Sequence, residues 1–351
     1  MYDCIRPGQP WLDTDGNPIQ AHGGSVMYID GTYYWYGENK EKTTGLDEIW
    51  HWGVRLYSSR DLYNWQSEGI ILMPRPDDPT HQLHPSFQMD RPHILFCDET
   101  QKFVMWVKFM SPGGQHMGIA VADSIKGPFE YVKTLYLFEM ESGDFDLVKD
   151  ESGKAYIYFE HCHTEMICAE LTEDYTDVTG VFSRHFTNQL PPYTREAPAF
   201  FKRDGKMYLL TSGTTGYFPN PSEIAVSTEY HGPWTVLGDP CVNDVNRNSF
   251  HSQFSSVFKV QNLPEGKELF VALGDRWLTD IPDGYLEEVP KIYDALCCGE
   301  PREEDFGGVK RLRELSSENT SQAKYVWLPI VFEKGEPRIY FYDSWRIEDF
   351  M

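Results

Sequence analysis

The feature that most constrains this chain is a two-part strand pattern that returns along its length. In the first part an apolar strand runs into a Gly- or Asp-containing turn and comes back as an aromatic strand: GGSVMYIDGTYYWYGE, RPHILFCDETQKFVMWVKF, DFDLVKDESGKAYIYF and APAFFKRDGKMYLLTSG. Turn chemistry between such strands predicts a hairpin. In the second part a shorter strand leads through a turn to a closing strand: GVRLYSSRDLYNWQSEG, GIAVADSIKGPFEYV, MICAELTEDYTDVTG and EIAVSTEYHGPWTVL. Each unit therefore supplies four strands. The turn markers Gly31, Thr100, Gly153, Gly205 and Gly266 lie 69, 53, 52 and 61 residues apart, a period that fits propeller blades.

The fifth unit is less regular. SSVFKVQNLPEGKELFVALGDRW gives its first hairpin and YVWLPIVFEKGEPRIYFYDSW its second, with an insertion at about 278–323 between them. The insertion is rich in Glu, Pro, Gly and Arg and reads as a loop outside the blade, with a short helix around Val309 to Leu315. Its length suggests a functional or interface role. The expected fold is all-β, a five-bladed β-propeller, with residues 1–351 forming one domain. The alternative is an open β-sandwich, which has no need for five similar four-strand units.

With 31 Lys+Arg against 54 Asp+Glu the net charge is −23. Such a surface repels phosphate backbones and anionic lipid, so neither nucleic acid nor membrane is expected as a partner, and a neutral ligand is. No segment approaches the roughly 18 apolar residues of a membrane helix. The seven cysteines are odd in number and lack C-x-x-C spacing, which reads as free thiols in a reducing compartment. The N-terminal stretch shows no secretory signal. The expected location is cytoplasmic, the alternative being a secreted protein whose leader was removed.

In a propeller the innermost strands converge on a central channel. The starts of the five first strands are QAHGGS, MDRPH, SGDFD, TREAPA and HSQFSS, carrying His22, Asp90, Asp144, Glu196 and Gln253. Two carboxylates across a pocket are suited to glycoside hydrolysis, one donating a proton to the leaving oxygen and the other activating water about 6.5–9.5 Å away. Glu196 is the best acid candidate, because burial and neighbouring carboxylates would raise its pKa. Arg195 would lower it unless alternation along the strand turns the guanidinium away. Asp90 would help by like-charge repulsion, or else accept turn hydrogen bonds; Arg91 beside it is placed to pair with a carboxylate. Asp144 competes with Asp146 for the inward position.

His22, followed by two glycines, is suited to hydrogen-bonding a sugar, to holding an ion in the channel, or to a core position. Tyr34, Trp35, Tyr36, Trp106, Tyr217, Trp277 and Trp327 are candidates for stacking on a sugar, although most aromatic residues here must be core. G-x-G-x-x-G, G-K-[ST], H-E-x-x-H and G-x-S-x-G patterns are all missing. The HCH run from His161 to His163 offers alternate histidines on one strand with no third ligand nearby, a weak metal signal, and no metal-binding residue is assigned.

The set HGGSVMYIDGTYYWYGENK, SSRDLYNW, DRPHILF, SGDFDLVKDESGKAYIYF, REAPAFFKRDGKMYLLTSGTTGYFPNP, GPWT, HSQFSSV, GDRW and YVWLPI resembles glycoside hydrolase family 43, and within it the branch containing exo-β-1,3-galactanases. The similarity spans nearly the whole chain. It implies a five-bladed propeller with a funnel-shaped pocket, hydrolysing glycosides with inversion. The family's general acid matches Glu196 in REAPA. Its pKa-modulating carboxylate matches Asp90 in DRPH, where the branch more usually carries Glu. The base Asp of typical members has no counterpart in AHGGS; the branch shares that departure, and there a Gln matching Gln253 is implied to position or activate the water, although an amide is a poor base.

Glu38, Asp144 and Thr215 match positions that contact the terminal sugar, and Tyr217 stands where Trp is commoner. The resemblance implies no required cofactor, with a calcium or sodium ion in the channel as a structural option. It also implies an oligosaccharide substrate; no oligomeric state is assigned. The chain ends without the carbohydrate-binding module common in that branch, which favours imported oligosaccharides over insoluble polymer. The expected activity is therefore exo-β-1,3-galactosidase or galactanase. The alternatives are α-L-arabinofuranosidase or β-xylosidase on the same scaffold, or a sugar-binding propeller without activity.

Overall fold

The computed structural model describes residues 1–45, 48–111, 113–187, 189–279, 281, 285 and 319–351. Strands follow one another in antiparallel order within each sheet, as short hairpin turns between alternating sequences require. The first blade is β1 (His22–Ile29), β2 (Thr32–Glu38), β3 (Val54–Ser59) and β4 (Gln66–Leu72). The second is β5 (Gln88–Cys97), β6 (Lys102–Ser111), β7 (Gly114–Ala122) and β8 (Glu130–Leu135). The third is β9 (Ser142–Lys149), β10 (Ala155–His161), β11 (Glu165–Leu171) and β12 (Val178–His185).

The fourth blade is β13 (Arg195–Arg203), β14 (Lys206–Gly213), β15 (Glu223–Ser227) and β16 (Thr235–Gly238). The last is larger: β17 (Cys241–Val242) pairs in parallel with the outer edge of a sheet formed by β18 (Gln253–Lys259), β19 (Phe270–Arg276), β20 (Lys324–Glu333) and β21 (Glu336–Tyr340). The helix expected at 309–315, and most of the insertion, lie outside the described residues.

What closes the ring is side-chain alternation. Adjacent residues on a strand face opposite sides of the sheet, and here each side meets a different neighbouring blade. Trp35 of β2 packs with Trp65 of its own blade and Trp327 of the last, while Tyr36 joins Ile94 and Met105 of the second. Phe200 of β13 packs with Tyr158 of the third blade and Phe201 with Phe270 of the last. The core thus divides into clusters, one at each junction between blades. An open sandwich would share one core between two sheets, so this division rules it out. The N-terminal segment seals the junction of first and last blades: Trp11 meets Trp35 and Trp327 at ring distances of 5.6 and 5.2 Å, and Ile5 pairs with Trp345.

The inner strands β1, β5, β9, β13 and β18 converge, and every one carries a register shift near its start, between His22/Ser25, Asp90/His93, Ser142/Phe145, Glu196/Ala199 and Phe254/Ser256. A bulge re-aims the side chain at which it occurs. Arg91 (φ 54°) and Ala197 (φ 47°) sit in the left-handed region, where non-glycine residues are uncommon. They directly follow Asp90 and Glu196.

Candidate active site

The bulged starts of the inner strands wall a cavity of about 330 Å³ at one end of the channel. Glu38, Asp90, Asp144, Glu196, Gln253, Tyr217 and Trp277 all line it. Residues up to 239 positions apart (Glu38 to Trp277) are therefore brought to one mouth by blade geometry.

Gln253 is held by donors and acceptors that fix which way its amide faces. Its Oε1 accepts from Arg91 Nη2 at 2.5 Å and from Trp277 Nε1 at 3.3 Å, neither of which can accept. Its Nε2 consequently donates to Glu196 Oε1 and to Ser212 Oγ, each at 2.9 Å. Arg91 also pairs with Asp144 at 3.0 Å and donates its backbone N–H to Glu38 Oε1 at 2.9 Å. One guanidinium thus ties together a carboxylate, a carboxamide and the acid candidate behind it.

Glu196 is buried, and burial is the main cause that pushes its carboxyl up to about 8, with the charges of Asp144 and then Glu160 adding to it while His163 and Arg91 oppose. Arg195 does not enter the pocket. It turns away to bond Thr211 Oγ1 and the carbonyls of Thr211 and Pro221, as alternation along β13 requires.

Asp90 meets the opposite environment. Burial works to raise its pKa, but Lys108, Lys40 and the indole of Trp50 hold it below the usual carboxylate range. Lys108 Nζ lies 3.3 Å from Asp90 Oδ2 and 2.8 Å from Asp144 Oδ1, and Trp50 Nε1 donates to Asp90 Oδ1 at 2.9 Å. Asp90 is thus clamped by cations, and the carboxylates acting most on Glu196 are Asp144 and Glu160. Asp144 stays well below the usual range although burial opposes it, because Arg91 and Lys108 face it. Its competitor Asp146 lies off the pocket, accepting from Phe200 N at 2.7 Å and pairing with His93 at 3.1 Å.

Glu38 is fully buried, and burial with Asp90 nearby pushes it to about 7 against the pull of Lys40, 3.0 Å away. A Cβ on Gly23 would come within 2.5 Å of Glu38 Oε1, so the glycine makes room for that carboxylate. An aromatic rim completes the mouth: Trp50 stacks on Tyr217 at 6.2 Å, and Tyr217 lies 5.3 Å from Trp277. Phe218, next in that loop, lies 5.9 Å from Tyr285 of the insertion, whose hydroxyl donates to Pro219 O.

Two expected sugar-contacting residues are not at the wall. His22 is wholly buried, stacked on Tyr325 at 5.0 Å, with Asp275 3.2 Å from Nδ1 and Gln20 3.3 Å from Nε2. The bulge after it and the Trp277 ring at 5.7 Å leave it behind the pocket as a satisfied core histidine. Thr215 is buried too: its hydroxyl donates to Phe218 O at 2.5 Å and accepts from Asn220 at 2.7 Å, so it braces the Tyr217 loop. Trp35, Trp106 and Trp327 are core residues.

Several wall residues escaped the sequence reading: Trp50, Lys108, Gln115, Glu160 and His163. Lys108 was legible in principle, since a lysine inside the apolar run FVMWVKFM needs a buried partner. Glu160 and His163 come from the far end of β10 and its turn, where no repeat position marks them.

A family model described as glycosyl hydrolases family 43 matches residues 16–257. Among solved structures, this chain is similar to the family-43 β-1,3-galactosidase BT0265, at 29% identity and a TM-score of 0.79 over 100% of this chain and 65% of that one. It resembles the family-43 β-1,3-galactosidase BT3683, solved with galactodeoxynojirimycin, at 27% identity and a TM-score of 0.78 over 98% and 100% of the two chains. It also resembles the exo-β-1,3-galactanase 1,3Gal43A from Clostridium thermocellum at 26% identity and a TM-score of 0.75, over 97% of this chain and 66% of that one. A search of curated proteins finds no match.

Proposed function

The chain belongs to glycosyl hydrolase family 43, and from that premise we propose that it is an inverting exo-glycosidase releasing terminal galactose from β-1,3-linked galacto-oligosaccharides or arabinogalactan fragments. The observation that carries this is Glu196: a buried carboxyl with its pKa pushed up to about 8, on the wall of the pocket. A carboxyl protonated near neutrality is what a leaving glycosidic oxygen needs. The β-1,3-galactosidase neighbours support galactose as the sugar.

In the reaction proposed, the terminal sugar sits against Asp144 and Glu38, whose oxygens accept from its hydroxyls, with the aromatic rim over its apolar face. Glu196 passes its proton to the glycosidic oxygen as the C–O bond breaks. Water attacks the opposite face of the anomeric carbon, oriented by the amide of Gln253, and gives its proton to solvent. Arg91 keeps that amide from rotating. A cytoplasmic site of action, and a pocket needing no cofactor, belong to the same proposal.

Chromogenic galactoside, arabinofuranoside and xyloside substrates followed by β-1,3-galactobiose test it. The expected outcome is galactose release, with inversion seen by NMR of the first-formed anomer. Hydrolysis of an arabinofuranoside or xyloside with galactobiose untouched would replace the substrate assignment.

One observation favours a second reading. Gln253 and Glu196 touch at 2.9 Å, far inside the separation of about 6.5–9.5 Å that admits a sugar and water in an inverting site. Unless substrate parts them, the pocket binds galactose without turnover. Calorimetry showing galactose binding with β-1,3-galactobiose intact after prolonged incubation would establish this reading.

A further inference from the structure

We propose that Glu160, Cys162 and His163 form a binding site for a zinc-type divalent cation on the wall of the pocket. A single turn supplies the whole set. Glu160 ends the buried part of β10, and the chain then reverses through His161–Thr164 with His163 in the left-handed region at φ 55°. This reversal returns His163 over Glu160, so that a glutamate oxygen, a thiol sulfur and an imidazole nitrogen lie within 4.8 Å of one another. On an extended strand His161 and His163 would share a face; in the turn the third ligand is Glu160.

The donor atoms are placed for a shared partner. His163 Nδ1 is screened from solvent and lies 2.8 Å from Glu160 Oε1. A nitrogen and an oxygen held this close share one partner, a proton or a cation in its place. The other oxygen of Glu160 packs against Gly143 of β9, where a Cβ would come within 1.9 Å of it, so the glycine makes room for this carboxylate. Gln115 Nε2 donates to Cys162 Sγ at 3.2 Å, which fixes the position of the sulfur.

Charge also fits, since a glutamate and a thiolate as ligands together match a divalent cation. A sulfur and a nitrogen ligand select a borderline or soft cation over magnesium or calcium, and three protein ligands leave a fourth position. Glu160 and His163 line the same cavity as Glu196, so a bound cation narrows the place where sugar enters. Cation binding itself does not depend on which sugar the pocket takes.

The test is calorimetry of the full chain with Zn²⁺, Mg²⁺ and Co²⁺. The expected result is one saturable Zn²⁺ equivalent, weakened at least about tenfold in both Cys162→Ser and His163→Asn, with Mg²⁺ silent. Co²⁺ should give a thiolate-to-metal absorption band that Cys162→Ser lacks while its thermal unfolding matches the parent. Hydrolysis, once a substrate is known, should be inhibited by Zn²⁺ in the parent and resistant in Cys162→Ser. Absence of saturable Zn²⁺ binding, equal affinity in parent and variants, or Mg²⁺ binding as tightly as Zn²⁺ would overturn the assignment.

Discussion

Asp90 and Glu196 occupy equivalent places in two blades: each lies near the start of an inner strand, precedes a bulge and a left-handed residue, and faces the same cavity. Both are carboxyls removed from bulk water, a change that by itself raises a pKa. Yet Asp90 is held below the usual range and Glu196 is pushed to about 8. The difference lies in what stands opposite. Asp90 faces Lys108 at 3.3 Å and Lys40 at 3.9 Å, whereas Glu196 faces an uncharged amide and feels the negative charges of Asp144 and Glu160. Position in the fold delivers a carboxyl to the mouth, and the neighbours decide whether it holds a proton there.

The largest expected effect breaks the comparison on the Glu196 side. Glu196→Gln keeps the shape and the contact with Gln253 but has no proton to transfer, so kcat should fall by about 10²–10⁴ while galactose still binds by calorimetry. The parent should lose kcat/KM as pH rises through about 8, where Glu196 gives up its proton. A variant within twofold of the parent would remove Glu196 from the acid role.

On the other side, Asp90→Asn leaves two buried lysines with one carboxylate each, Glu38 for Lys40 and Asp144 for Lys108. Removing one partner of a buried charge network costs about 3 kcal/mol, measurable by denaturant unfolding at pH 7. Because Asp90 is depressed in the folded protein, its stabilisation is present above the ordinary aspartate range and is lost as pH falls through its folded value. The parent–variant gap should therefore close in acid. A gap that does not depend on pH would mean that Asp90 acts through packing rather than charge.

A smaller effect sharpens the cause of the Glu196 shift. Asp144 is the charge that adds most to the effect of burial, so Asp144→Asn should move the alkaline limb of kcat/KM to lower pH by about one unit. Asp90→Asn should leave that limb in place. If the two variants move it equally, Asp90 is as much a modulator of the acid as Asp144.

How much of this was legible in the sequence follows from what repeats and what does not. Hairpins such as GGSVMYIDGTYYWYGE carry their turn and alternation in every blade, so the propeller and the meeting of Asp90, Asp144, Glu196 and Gln253 could be read from spacing. His22 misled for the same reason: its repeat position implies the pocket, but the bulge at Gly23–Gly24 and the covering Trp277 set it behind the wall. Of the cations that separate Asp90 from Glu196, Lys108 stands directly across the β5–β6 hairpin from Asp90 and was open to a register argument, whereas Lys40 follows β2 of the first blade and reaches the site only through tertiary packing. Glu160 was hidden likewise, contributed by the end of β10 that has no marker in the repeat.

The last contrast is thermodynamic and needs no substrate. Glu196 has a folded pKa above its unfolded one, so its neutral form is tolerated without cost below about 4.5 and the fold loses stability as pH climbs from there to about 8. Glu196→Gln removes the group that must ionise. The variant should match the parent at pH 4 and exceed it at pH 9 by several kcal/mol, about 1.4 kcal/mol for each unit between the two pKa values, read as the difference between two denaturant curves at each pH. Taking the difference cancels the titrating groups that do not act on Glu196, which are common to both proteins. A parent that gains on the variant as pH rises would show that Glu196 is stabilised as a carboxylate, which would erase the contrast with Asp90 and leave the pocket without a proton donor.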